Sequence, residues 1–154
     1  MLKQGFLLAV VVLCTACVSQ ANHTDKIEQW LDKPAHVQAQ AIASGDTTSA
    51  ELVSGYLARI ERLDEKVNSV LALNPNALTE AKAIDKRLAN GETLGPLAGI
   101  PVLLKDNIES AEMPTTAGSM ALITNDTGRD APIVEKLKAA GAIILGKTNL
   151  SEWA

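Results

Sequence analysis

Two lysines stand where a side chain of that type could do chemistry. Lys105 closes the apolar run Val102-Leu103-Leu104 and is followed at once by Asp106, so its stem starts in the interior. A strand-end lysine ordinarily reaches solvent or pairs with a neighbouring carboxylate, here Asp106. A buried one loses its proton and becomes a base. Lys147 lies in Gly141-Ala142-Ile143-Ile144-Leu145-Gly146-Lys147-Thr148, which matches the phosphate-loop pattern G-x-x-x-x-G-K-[ST] letter for letter. That chemistry needs an exposed loop whose amides wrap phosphate. Here a helix precedes Gly141 and Ala-Ile-Ile-Leu fills the loop positions. The segment reads as a buried strand with its amides paired in a sheet, so nucleotide binding is not expected. No His, Cys or carboxylate has metal-ligand spacing.

The elements that must position these residues follow from periodicity and capping. Ile27, Trp30 and Leu31 share a helical face before Pro34 interrupts it, and His36 to Ser44 is again helix-like, ending at Gly45-Asp46. Thr48-Ser49-Ala50-Glu51 is a capping box, and Leu52, Tyr56, Leu57, Ile60 and Leu63 follow at helical spacing. Ser69 to Leu73 predicts a short strand. Pro75 opens a helix with Ala77, Ala81, Ile84 and Leu88 on one side and Gly91 as its stop. Val102 to Leu104 predicts a strand buried on both faces. Residues 109–130 form a long polar connection, of the kind that is often functional. Ala131 to Ala140 predicts a helix with Ile133, Val134, Leu137 and Ala140 as its apolar stripe, and Ala142 to Leu145 a second buried strand. Strand, crossover and strand imply a parallel pair in an α/β sheet.

The chain has 154 residues, 47% of them hydrophobic but only 3% aromatic, so its core must be built from aliphatic side chains. A formal net charge of −4 and the lack of a basic patch give no reason to expect nucleic acid as a partner. Residues 1–21 have a different character. Lys3 is followed by the apolar run Gly5 to Leu13 and then by small residues at Thr15, Ala16, Ser19 and Ala21. This is the layout of a bacterial secretory signal, too short to span a membrane as a helix of ~20 residues. Leu13-Cys14-Thr15-Ala16-Cys17 resembles a lipobox, although Cys14 stands where Leu or Val is usual. Ser19-Gln20-Ala21 offers a competing cleavage site before Asn22. Lipidation of Cys17 is the preferred outcome, which makes Cys17 a candidate lipid anchor and the bacterial cell envelope the expected location, periplasmic or membrane-anchored. Both cysteines fall in this segment, so residues 22–154 can hold no internal disulfide.

Leu97-Ala98-Gly99-Ile100-Pro101-Val102-Leu103-Leu104-Lys105-Asp106-Asn107-Ile108, the Thr115-Thr116-Ala117-Gly118-Ser119 segment and the stretch from Ala139 to Trp153 together resemble the amidase signature family. The resemblance spans about residues 40–154 and is densest from Leu97 onward. It implies the N-terminal part of an α/β/α sandwich with a mixed, partly parallel sheet, a Ser–Ser–Lys triad, a small-molecule amide substrate and no cofactor. The family's catalytic lysine falls on Lys105. Ser119 belongs to the family's T-x-G-S segment near the active site, and it is not the nucleophile. The Gly/Ser-rich signature that carries both serines normally comes well after the T-N-x-x-E-[FW] segment, which here ends at Trp153. No Gly-Ser-Ser-Gly-type stretch occurs in residues 1–154. Residues 22–154 are therefore expected to be an incomplete amidase domain, inactive alone, whose partner is the missing C-terminal part of the same enzyme. Two alternatives stand beside this reading: a non-catalytic envelope lipoprotein or pseudoenzyme, and a protein like the A subunit of the amidotransferases that feed ammonia to charged transfer RNA.

Overall fold

The structure is a computed structural model and describes residues 26–154. The predicted signal segment, Cys17 and the cleavage site before Asn22 lie outside the described residues. Helix α1 covers residues 26–31. It is followed by α2 (Ala35–Ser44), α3 (Ser49–Leu63), β1 (Val70–Leu73), α4 (Ala77–Ala89), β2 (Pro101–Lys105), α5 (Pro132–Ala139) and β3 (Ile143–Thr148). The sheet has the order β1-β3-β2, with β2 and β3 parallel and β1 antiparallel to β3. Helix α5 lies in the crossover between the parallel strands. On one face of the sheet, Ile143 and Leu145 pack on Val53 of α3 and on Ala77, Ala81 and Ile84 of α4. On the other, Leu104 and Ile144 pack on Val134 of α5 and on Met113. The result is the predicted α/β arrangement, a mixed sheet between two helical layers.

Local signals explain where α3 starts. Thr48 Oγ1 accepts the Glu51 amide at 3.1 Å and Glu51 Oε2 accepts the Thr48 amide at 3.0 Å, completing the capping box. A second cap comes from α4, whose Asp85 carboxylate accepts the Ser49 and Ala50 amides at 2.8 and 2.9 Å. An anion beside the first turn is favoured by the helix dipole. The apolar stripe is wider at the start of α3 than the spacing predicts and shorter at its end. Val53, beside Leu52, is fully buried because α3 lies between two clusters, whereas Leu63 is 45% exposed.

Two further expectations are corrected. Leu103 is 37% exposed, because β2 is an edge strand among the described residues and only central β3 is covered on both faces. Ile133 is 56% exposed, since the short helix α5 turns only Val134 fully inward. Gly146 is required where β1 crosses β3: a Cβ there would lie 2.4 Å from the Ala72 carbonyl oxygen. Gly146 follows the irregularity in the pairing of β2 with β3, where the register shifts between Val102 and Leu103.

Candidate active site

Lys105 is the last residue of β2 and pairs with Thr148 of β3. Its carbonyl accepts the Ile108 amide at 3.0 Å, closing a tight turn over residues 105–108. Its side chain is exposed, the ordinary state of a strand-end lysine. Alternation along β2 turns Leu104 inward and Lys105 outward. Lys105 Nζ donates to the Ala154 carbonyl at 3.2 Å, and Asn107 Nδ2 donates to the same oxygen at 2.9 Å. The segment after β3 therefore passes close to the lysine.

Asp106, only 1% exposed, connects this strand end to the Thr115–Ser119 segment. Its amide donates to the Thr148 carbonyl at 3.2 Å, extending the ladder, and its carbonyl accepts the Ala117 amide at 2.9 Å. Its carboxylate accepts both the amide (3.1 Å) and the hydroxyl of Thr116. Ser119 donates to Glu152 at 2.6 Å and accepts the Ala121 amide at 3.3 Å, while the Trp153 amide donates to the Ala117 carbonyl at 2.9 Å. Gly118 (φ 69°) sits where a Cβ would meet the Leu150 carbonyl oxygen at 2.8 Å. These contacts bring together the three motifs that are separate in the sequence. Beside them lies a cavity of about 320 Å³, lined in part by Leu71, Asp106, Thr116, Ser119, Met120 and Asn149. Its mixture of apolar walls and a few polar groups is usual for a small-molecule site.

Nothing local in the sequence shows what Lys147 does. Residues 143–148 are strand, as expected, and the phosphate-loop string has no loop. Lys147 itself is fully buried. Its Nζ donates to the Ile108 carbonyl at 2.7 Å and to Thr115 Oγ1 at 2.9 Å. Its remaining direction faces the Pro114 carbonyl at 3.5 Å and Asp106 Oδ1 at 3.6 Å. Burial holds its pKa below the ordinary lysine value, against the opposing pull of Asp106 and, more weakly, Glu109 and Glu112. The rest of the long connection is fastened by Lys138, which pairs with Glu112 and with Asp130. Burial alone would raise both carboxyls, but their bonds to Lys138 hold them below their ordinary values. Among the described residues no group of three or more His, Cys, Asp and Glu could hold a metal ion.

A three-layer α/β scaffold that presents a lysine at the C-terminal end of a parallel strand, with two distant glycine-containing segments folded beside it, defines the class. The family model for Amidase matches residues 51–154, and the chain belongs to that family. The A subunit of glutamyl-tRNA(Gln) amidotransferase from Streptomyces coelicolor is 45% identical over 117 residues, covering 75% of this chain and 24% of that protein. The native peptide amidase from Stenotrophomonas maltophilia superposes with a TM-score of 0.73 at 46% identity, covering 80% of this chain and 26% of that one. An amidase family protein from Bacillus anthracis gives 0.79 at 38% identity, covering 87% and 27%. The chain spans about a quarter of the length of the curated relatives it matches.

Proposed function

We propose that this chain is the lysine-bearing portion of an enzyme that hydrolyses a linear carboxylic amide through a Ser–Ser–Lys relay, with Lys105 as the base. The reading is supported above all by the position of Lys105 at a strand end, with Thr115–Ser119 and residues 149–154 folded around it. In the relay, Lys105 takes a proton from a bridging serine, which takes one from the nucleophilic serine as that oxygen attacks the amide carbon. The tetrahedral oxyanion collapses, the C–N bond breaks, and the relay returns a proton to the leaving amine. Water then hydrolyses the acyl-enzyme to the carboxylic acid. Both serines come from the remainder of the longer protein.

The test is hydrolysis of an aryl amide by the full-length protein and by its Lys105→Ala variant. Loss of activity in the variant supports the reading. Activity in Lys105→Ala within about tenfold of wild type, or hydrolysis by residues 22–154 alone, overturns it. A second reading, an ammonia-supplying component of an amidotransferase, is favoured by the name of the Streptomyces relative. Against it stands the order of charge, apolar run and small residues in residues 1–21, which supports export to the envelope with Cys17 as lipid anchor. Labelling of the cell fractions separates the two: a cytosolic, unprocessed protein would favour the amidotransferase.

A further inference from the structure

We propose that Lys147 and Asp106 form a buried positioning pair that sets the turn carrying Lys105 and seats the Thr115–Ser119 segment beside it. The catalytic consequence of the pair rests on the amidase reading. The geometry runs through both ends of the turn. Asp106 follows Lys105 directly, and its main chain and side chain together bind Thr148, Thr116 and Ala117. Ile108 closes the turn by donating to the Lys105 carbonyl, and its own carbonyl is held by Lys147 Nζ at 2.7 Å. Lys147 also holds Thr115 at 2.9 Å and faces Asp106 at 3.6 Å. One ammonium thus gathers four oxygens from residues 106, 108, 114 and 115. All three of its N–H groups are used, and no water is needed to satisfy them.

Thr115 is also paired with Asn125 and Ser119 with Glu152, but the Ile108 carbonyl and the Asp106 carboxylate meet at Lys147. Lys147 is fully buried and Asp106 nearly so, and breaking a buried pair leaves the surviving partner without solvent to replace it. The face opposite Lys147 is the one that carries Lys105, because Lys147 registers with Leu104 and Thr148 with Lys105. A change in the pair is therefore transmitted to Lys105 through the backbone of a single turn. Lys147 touches no substrate on this reading; it acts through Asp106 and Ile108.

The test uses the full-length protein and the variants Lys147→Met, Thr115→Val, Lys147→Met/Asp106→Asn and Lys105→Ala. Hydrogen exchange at the Thr116 and Ala117 amides is read alongside kcat and KM for amide hydrolysis, well below the melting temperature. Lys147→Met is expected to open both amides and to lower kcat about 100-fold, the scale of a small misplacement of a reacting group, with KM little changed. The double variant should recover part of the lost stability and not the lost kcat. If Lys147→Met does not fold, Thr115→Val should produce the same pattern more weakly. Protection of both amides unchanged from wild type in the folded variants overturns the proposal, as does unchanged kcat with both amides open. Lys105→Ala should lower hydrolysis on the order of 10³-fold while leaving the two amides protected. If the wild-type protein hydrolyses no amide, the amidase reading fails, and the exchange data alone decide whether the pair seats the turn.

Discussion

Lys105 and Lys147 leave neighbouring parallel strands one register step apart, yet their surroundings are opposite. On the Lys105 side the amine is exposed and meets one backbone carbonyl at 3.2 Å. On the Lys147 side the amine is sealed among carbonyls, a hydroxyl and a carboxylate. On the proposed reading, the difference separates two uses of the same charge. A base that exchanges protons with serine must be reachable by its partner. An ammonium that organises a loop works best where water does not screen it.

Substitutions on the two sides should behave in opposite ways. The largest expected effect is on the exposed side: Lys105→Ala should lower amide hydrolysis of the full-length protein on the order of 10³-fold. Losing its hydrogen bond to the Ala154 carbonyl should cost about 0.5–1.5 kcal/mol in denaturant titration. On the sealed side the balance reverses, and Lys147→Met should destabilise the fold by about 3–5 kcal/mol, because the buried Asp106 carboxylate loses its countercharge and keeps only Thr116 as a donor, while the Ile108 carbonyl and the Thr115 hydroxyl lose theirs. Equal losses of stability in the two variants would erase the distinction between the two lysines. Next in size, Gly118→Ala should cost about 1–2 kcal/mol from its left-handed backbone alone. Faster proteolysis of the 109–130 connection would report that loss.

The smallest effect is a pH dependence. The folded-state pKa of Lys147 lies below the ordinary lysine value of 10.5. Between the two values the unfolded chain binds more protons than the folded one, so this group makes stability rise with pH across that window. Below the folded value the penalty is present in full. Subtracting the alkaline stability curve of Lys147→Met from that of wild type should expose this rise; a flat difference would remove burial as the dominant influence on the group.

Much of the framework was legible because its signals are local. The capping box of Thr48 and Glu51 and the helix that ends before Gly45 rest on contacts within one turn of chain. The parallel pairing of β2 and β3 followed from two apolar runs separated by an amphipathic helix. The same locality rejected the phosphate loop, since four aliphatic residues between its glycines belong in a sheet. Lys105 was legible as a candidate through the motifs around it, and its exposure is that of an ordinary strand-end lysine.

Other features depend on residues far apart in the chain and emerge only from packing. Asp85 caps a helix that begins 36 residues earlier, and no pattern within either helix announces it. Leu103 and Ile133 are apolar positions of ordinary appearance whose exposure depends on which strand is central and how far α5 covers the sheet. Lys147 is the clearest instance. Its sequence neighbours say strand, but its function as a loop organiser depends on oxygens from residues 106 to 115, which reach it only once the connection has folded back over β3. Backbone preferences and apolar spacing act within a few residues, so the elements and the candidate base could be read from the chain itself. Burial and pairing of charge arise between elements, so it took the folded arrangement to separate the lysine that is reachable from the lysine that is sealed.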